Sequence, residues 1–188
     1  MKNKPKFVEV DYDSWKSISQ ITLYNIHYIL ESVKILLDKN IDENKEFLFN
    51  HPYVAAGMYT FAIEEYGKFL LLNSIKEQNG IFQIKYKDEF RNHPKKFQKA
   101  LENIPEECRL VHSGGYTNIG FTSNGFNTDV IADFETRLGI FYSDFGENKR
   151  VQLLPQVDLN SLSKALEQFT KLIKDTLQEF NLKHFSQN

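Results

Sequence analysis

Three charges sit in the middle of an otherwise apolar stretch, Tyr53 to Ile75 (YVAAGMYTFAIEEYGKFLLLNSI): Glu64, Glu65 and Lys68. A helix that is hydrophobic all round belongs in a core, so these charges need partners or a cleft. Spacing supplies some, because Glu64 and Lys68 form an i,i+4 pair with the acid N-terminal, and Glu65 lies i,i+3 from the same lysine. One lysine cannot neutralise two carboxylates, so a further cation or a proton has to come from elsewhere in the fold. Breaking a buried pair of this kind strands the surviving charge at a cost of about 3–5 kcal/mol. The trio reads either as a functional centre or as an ion cluster that sets helix register.

A second candidate lies downstream in FRNHPKKFQKAL. Asn92 can cap a helix with Pro94 in its first turn, which places Arg91 and His93 at a helix N-terminus where unpaired N–H groups attract anions. An imidazole is the side chain best suited to proton transfer near neutral pH. Arg91, Lys95 and Lys96 around it suit a phosphate. A histidine among cations is what metal-independent RNA cleavage requires, since the ribose 2′-hydroxyl serves as nucleophile. Lys85, Lys87, Arg91, Lys95, Lys96 and Lys99 against Asp88 and Glu89 leave this segment a surplus of four positive charges. Its plain alternative is a solvated helical face on which His93 only caps its helix.

Other chemistries find less in the chain. Paired carboxylates of a bundle metal site use Glu-x-x-His on two helices, whereas Glu64 and Glu65 are adjacent, point apart and have no histidine three residues on. There is no Gly-x-Ser-x-Gly elbow, and Gly114-Gly115 lacks the Lys-Ser or Lys-Thr of a phosphate loop. No metal and no cofactor is expected.

The elements that must position these residues follow from patterning. At 188 residues the chain reads as a single helical domain over 1–188, and its formal net charge of -2 advertises neither nucleic acid nor membrane globally. The single cysteine, Cys108, excludes an internal disulfide and a cysteine metal cluster. MKNKPKFVEV has no apolar run behind its basic start, and charges at the centre make the apolar stretch a costly span. A soluble, cytoplasmic protein without membrane contact is expected.

After a polar lead over residues 1–12, Asp13 is placed to cap a long helix through Trp15, Ile18, Thr22, Ile26, Ile29, Val33 and Leu36, with His27 and Tyr28 near its middle. The polar run Asn40 to Asn44 ends it, and Asn50-His51-Pro52 opens the central helix, which is expected to fray near Asn79-Gly80. Phe82, Tyr86 and Phe90 recur at helical steps. Leu110 to Thr128 is uncharged and glycine-rich, a loop or small hairpin. Asp129 to Ile140 reads as a helix, Ile140–Tyr142 and Val151–Leu154 as a short hairpin. Asp158 or Asn160 then opens a last helix through Leu162, Leu166, Phe169, Ile173, Leu177 and Phe180. The predicted fold is mainly α, an up-and-down helical bundle with a small β-hairpin or loop insertion.

AIEEYGKFLLL, then Phe-x-x-His-x-x-Lys in FRNHPKK, then TRLGIFYSDF resembles the AbiV-type abortive-infection proteins of the HEPN superfamily. The matching positions are Glu64, Glu65, Gly67 and Lys68; His93 and Lys96; and Arg137, Tyr142 and Asp144, spread over residues 15–180. The resemblance implies a helical bundle, a homodimer, and anti-phage defence that halts the infected cell, with a phage protein as trigger. Many HEPN relatives are toxin ribonucleases that use an arginine shortly before a histidine; here Lys87 before His93 is the nearest approach to that spacing, and lysine lacks the guanidinium fork. Arg137 is a candidate for the cation that Glu64 or Glu65 still needs. On this reading His93, Lys68, Glu65, Glu64 and Arg137 form the catalytic set, and Arg91, Lys95, Lys96, Tyr142 and Asp144 bind RNA. The alternative is a non-enzymatic defence protein that recognises a phage or host protein through a dimeric helical surface, to which the many aromatic residues (Phe 16, Tyr 9) would contribute.

Overall fold

The structure, a computed structural model, describes residues 7–38, 51–85, 91–109, 111–113, 129–131 and 159–185. Arg137, Tyr142, Asp144, Lys87, the run from 40 to 44, most of the glycine-rich stretch and the hairpin expected over 140–154 lie outside the described residues. The elements are β1 (Val8–Asp11), α1 (Tyr12–Leu37), α2 (His51–Asn73), β2 (Ile81–Ile84), α3 (His93–Leu101), a 3-10 turn (Glu106–Cys108), β3 (Val111–Ser113), β4 (Asp129–Ile131) and α4 (Leu159–Phe185). The fold class is mainly α: helices of bundle type with small antiparallel strand pairs, β1 with β2 and β3 with β4.

Contacts divide the chain into two compact units, the first within residues 1–28, 62–104 and 171–188, the second within 29–61 and 105–170. In the first unit α1 is capped by Asp11, whose Oδ1 accepts the Ser14 amide at 2.7 Å. Asp13, expected in that role, instead pairs with Lys16 at 3.2 Å. The cap moved because Asp11 is the last residue of a strand and so carries the extended backbone an N-cap needs. Part of the lead expected to be merely polar is therefore β1, and its register with β2 sets Val8 opposite Ile84 and Asp11 opposite Ile81.

The helical reading is likewise overridden at Phe82, while Tyr86 and Phe90 lie outside the described residues. Ile81–Ile84 alternates out and in, with Phe82 and Ile84 buried, a period of two that suits a strand packed on one face. Helix α2 stops at Asn73, earlier than expected, where Asn73 Nδ2 donates to the Phe69 carbonyl at 3.0 Å and Ser74 Oγ to that of Leu71 at 2.7 Å. Asn79 and Gly80, at φ 53° and 81°, form a two-residue turn closed by mutual backbone bonds of Gln78 and Ile81 at 2.9 and 3.1 Å. Asn-Gly is the sequence best suited to that geometry.

The first unit's core gathers Trp15, Leu23 and Ile26 of α1, Ile63, Tyr66, Phe69 and Leu72 of α2, Phe82 of β2, Phe97 of α3 and Phe180 of α4. Trp15 stacks on Phe82 with centroids 4.7 Å apart and its indole N–H donates to the Leu72 carbonyl at 3.0 Å, which satisfies the polar handle of a buried ring. Leu23 is buried where the expected stripe of α1 had omitted it, and Ile18 is only half-buried.

In the second unit Leu30 and Val33 of α1, Ala55, Ala56 and Tyr59 of α2, Cys108, and Leu162, Ala165, Leu166 and Phe169 of α4 are buried. Tyr59 ties them together. Its hydroxyl lies 2.5 Å from the Cys108 carbonyl and 3.1 Å from that of Ala165, and its ring meets Phe169 edge-on at 5.8 Å. Strands β3 and β4 pair Val111 with Ile131, so the ends of the glycine-rich stretch lie side by side. The helix expected from Asp129 is thereby corrected over Asp129–Ile131, where two β-branched residues enter a ladder.

Candidate functional site

The site grows from the start of α3. Asn92 caps this helix, its side chain accepting the Lys95 amide at 3.0 Å, and Pro94 occupies the first turn. The Lys96 amide bonds the Asn92 carbonyl at 3.1 Å and Pro94 has no N–H. The Lys95 and Lys96 amides are thus spent internally and Pro94 supplies none, so an anion here would draw mainly on side chains. Arg91, His93 and Lys95 are exposed, while Lys96, Phe97 and Ala100 turn inward.

Inward, α3 meets α2 at Gly67. A Cβ built on that glycine would lie 1.7 Å from the Lys96 carbonyl oxygen, so only a residue without a side chain permits the approach. The approach delivers Lys96 Nζ to within 2.6 Å of Glu64 Oε1, with side chains 4% and 0% exposed. His93 Nδ1 reaches the same oxygen at 2.6 Å, its own side chain 49% exposed. One buried carboxylate thus joins an ammonium beneath it to an imidazole at the surface. Beside them, Lys68 Nζ bonds Glu65 Oε2 at 3.1 Å, with side chains 23% and 12% exposed.

Some expectations are corrected by this geometry. Lys96 was placed among the phosphate-binding cations, but it is buried and spent on Glu64, because 96, 97 and 100 share the inward face of an amphipathic helix. It is also a cation that Glu64 needed, in the place where the sequence suggested Arg137, which lies outside the described residues. Of the two pairings that spacing offered Lys68, the bond to Glu65 is formed, at 3.1 Å. Of the basic run, Lys85, Arg91 and Lys95 are exposed and Lys99 is half-buried, so the cationic surface is smaller than composition implied.

The sequence reasoning missed the structural part played by Gly67. A signal was present, because glycine inside a helix costs about 1 kcal/mol against alanine and implies a close neighbour. Tyr142 and Asp144 lie outside the described residues. His27, on α1, is a packed residue whose ring lies beside Tyr28 at 5.9 Å. Among the described residues no three of His, Cys, Asp and Glu gather as a metal site, and no helix is long and apolar enough to cross a membrane.

No protein-family model matches the chain, and no solved structure matches it. What this arrangement can do follows from its residues: a histidine oriented by a carboxylate, at the surface, between Arg91 and Lys95, is equipped to move a proton next to a bound anion.

Proposed function

We propose that this chain is a defence effector of the abortive-infection kind that acts on RNA, with His93 as its proton-transferring group. The observation that carries the reading is the 2.6 Å contact of the half-exposed His93 imidazole with the buried Glu64 carboxylate. The sequence resemblance to AbiV-type proteins of the HEPN superfamily supports it, since the same residues lie in the shared motifs. Arg91 and Lys95 would take the phosphate, and the positive end of α3 adds to their field.

In the reaction the imidazole accepts the proton of the ribose 2′-hydroxyl as that oxygen bonds to phosphorus. The bond from phosphorus to the 5′-oxygen breaks, and the leaving oxygen keeps the electron pair and takes a proton from water. The hydroxide so formed recovers the proton from the imidazolium, leaving a cyclic phosphate and a 5′-hydroxyl. The protein would work as a cytoplasmic homodimer, set off by a phage protein.

Purified protein incubated with total RNA in excess chelator tests this. Cleavage that His93→Ala abolishes, with RNA affinity retained, is the expected result; no cleavage, or cleavage equal to the parent in His93→Ala, overturns it. A second reading, recognition of a phage or host protein, draws on Ile21, Tyr24 and Tyr28, which are exposed at successive helical steps on the side of α1 away from its buried residues.

A further inference from the structure

The triad of Glu64, Lys96 and His93 has a feature that proton transfer alone does not require. Two side-chain nitrogens from α3 converge on one oxygen, Glu64 Oε1, each at 2.6 Å. The lysine makes no contribution at the surface, because its side chain is 4% exposed. Its approach is set by backbone contact at Gly67 rather than by a flexible side chain. A cation held there is out of reach of any substrate, so its effect has to pass through Glu64.

We propose that Glu64 and Lys96 are positioning residues that lock His93 into the tautomer bearing its proton on Nδ1, which makes Nε2 the atom that takes and returns a proton. The chemistry is one of hydrogen-bond polarity. A carboxylate salt-bridged to an ammonium has no proton of its own and can only accept. The imidazole nitrogen against it must therefore donate, and a neutral imidazole has one donor and one acceptor nitrogen. Lys96 keeps Glu64 an acceptor, Glu64 keeps Nδ1 a donor, and Nε2 is left as the basic position. Gly67 allows α3 to lie close enough for both contacts.

This role in proton transfer rests on the ribonuclease reading, but the tautomer can be measured without RNA. Nitrogen-15 NMR of the imidazole in the intact protein distinguishes a protonated ring nitrogen from a bare one. The expected parent spectrum shows Nδ1 protonated and Nε2 bare in the neutral ring, and Glu64→Gln, checked for a folded spectrum, loses that preference. A parent ring protonated on Nε2 overturns the proposal whether or not Glu64→Gln folds. A folded Glu64→Gln with the parent pattern overturns it as well.

Kinetics supply the second readout. Lys96→Met and Glu64→Gln are expected to lower kcat by about 10²–10⁴-fold, the range attached to a correctly presented acid–base group, with KM changed little. Loss confined to KM would place both residues in binding and overturn the proposal. The two failures are separable. A parent with the Nδ1 proton and no cleavage removes the ribonuclease reading and keeps the locked tautomer, whereas His93-dependent cleavage from a ring protonated on Nε2 removes the lock and keeps the ribonuclease.

Discussion

Gly67 and the Lys96 carbonyl are in backbone contact: a Cβ added to the glycine would stand 1.7 Å from that oxygen. Because the obstacle is main chain within a helix, nothing flexible can give way. Gly67→Ala is therefore expected to push α3 off α2, break the Glu64–Lys96 bond and destabilise the fold by about 3 kcal/mol, the upper end for overpacking. Denaturant unfolding checks it, and an unchanged midpoint would show that the helices are not so close.

The two glutamates should behave differently although they are neighbours in sequence. Glu64→Ala strands a Lys96 side chain that is 4% exposed, at an expected cost of about 3–5 kcal/mol. Glu65→Ala releases Lys68, whose partly exposed side chain can rehydrate, and is expected to cost about 1 kcal/mol or less. Equal losses in thermal melts of the two variants would contradict the separation of buried and outer pairs.

Tyr59 donates toward the carbonyls of Cys108 and Ala165 from a fully buried position. Tyr59→Phe leaves both without this hydroxyl and is expected to lower stability by about 1–3 kcal/mol. A phenylalanine variant as stable as the parent would mean that the hydroxyl adds nothing beyond the ring.

Alkali should unfold the protein through the same residues. Burial pushes the Tyr59 phenol well above its ordinary 10.0, and it lifts the Cys108 thiol from 9.0 to about 11, with the Glu107 charge adding to it. Both groups are neutral when protonated, so the folded chain keeps its protons to higher pH than the unfolded chain. Stability from this source is complete below about pH 9 and is lost as pH rises through 9 to about 11 for the thiol, and above 10 for the phenol. Cys108→Ala is expected to flatten the fall in melting temperature over the first of these windows; a parent-like slope would contradict it.

Acid acts through His184 and Asp11. Burial lowers His184 below 6.5, with the charges of Lys183 and Lys16 acting the same way, while Tyr12 hydroxyl meets its Nδ1 at 2.7 Å. The unfolded chain takes the proton first, so stability falls as pH drops below 6.5 toward the folded value. His184→Gln should show a smaller loss of melting temperature as pH falls below 6.5. Asp11 is held below 3.8 by the bonds it accepts from Ser14, so its capping contribution is present above 3.8 and disappears as pH falls further. Asp11→Ala is expected to melt earlier than the parent at neutral pH and to match it in strong acid.

Much of the helical frame was legible because its signals are local. The burial of α2 follows from apolar residues on every side, the start of α3 from Asn92 and Pro94, and the inward stripe of α4 from Leu162, Leu166, Phe169, Ile173 and Phe180, which are buried, with Leu177 of the same stripe half-buried. The strands of the first unit were not legible. Four-residue strands such as Val8–Asp11 and Ile81–Ile84 exist because they meet, and nothing in either segment names a partner so far along the chain.

By itself, then, the sequence determined that Glu64, Glu65 and Lys68 would need partners or a cleft and that a further cation or a proton had to come from elsewhere in the fold, since an apolar helix dictates burial and burial dictates charge pairing. Which cation was a matter for the tertiary structure alone. Lys95 and Lys96 are the same residue type at adjacent positions, and only the rotation of α3 on α2, set by contact at Gly67, sends one to solvent and the other to the carboxylate.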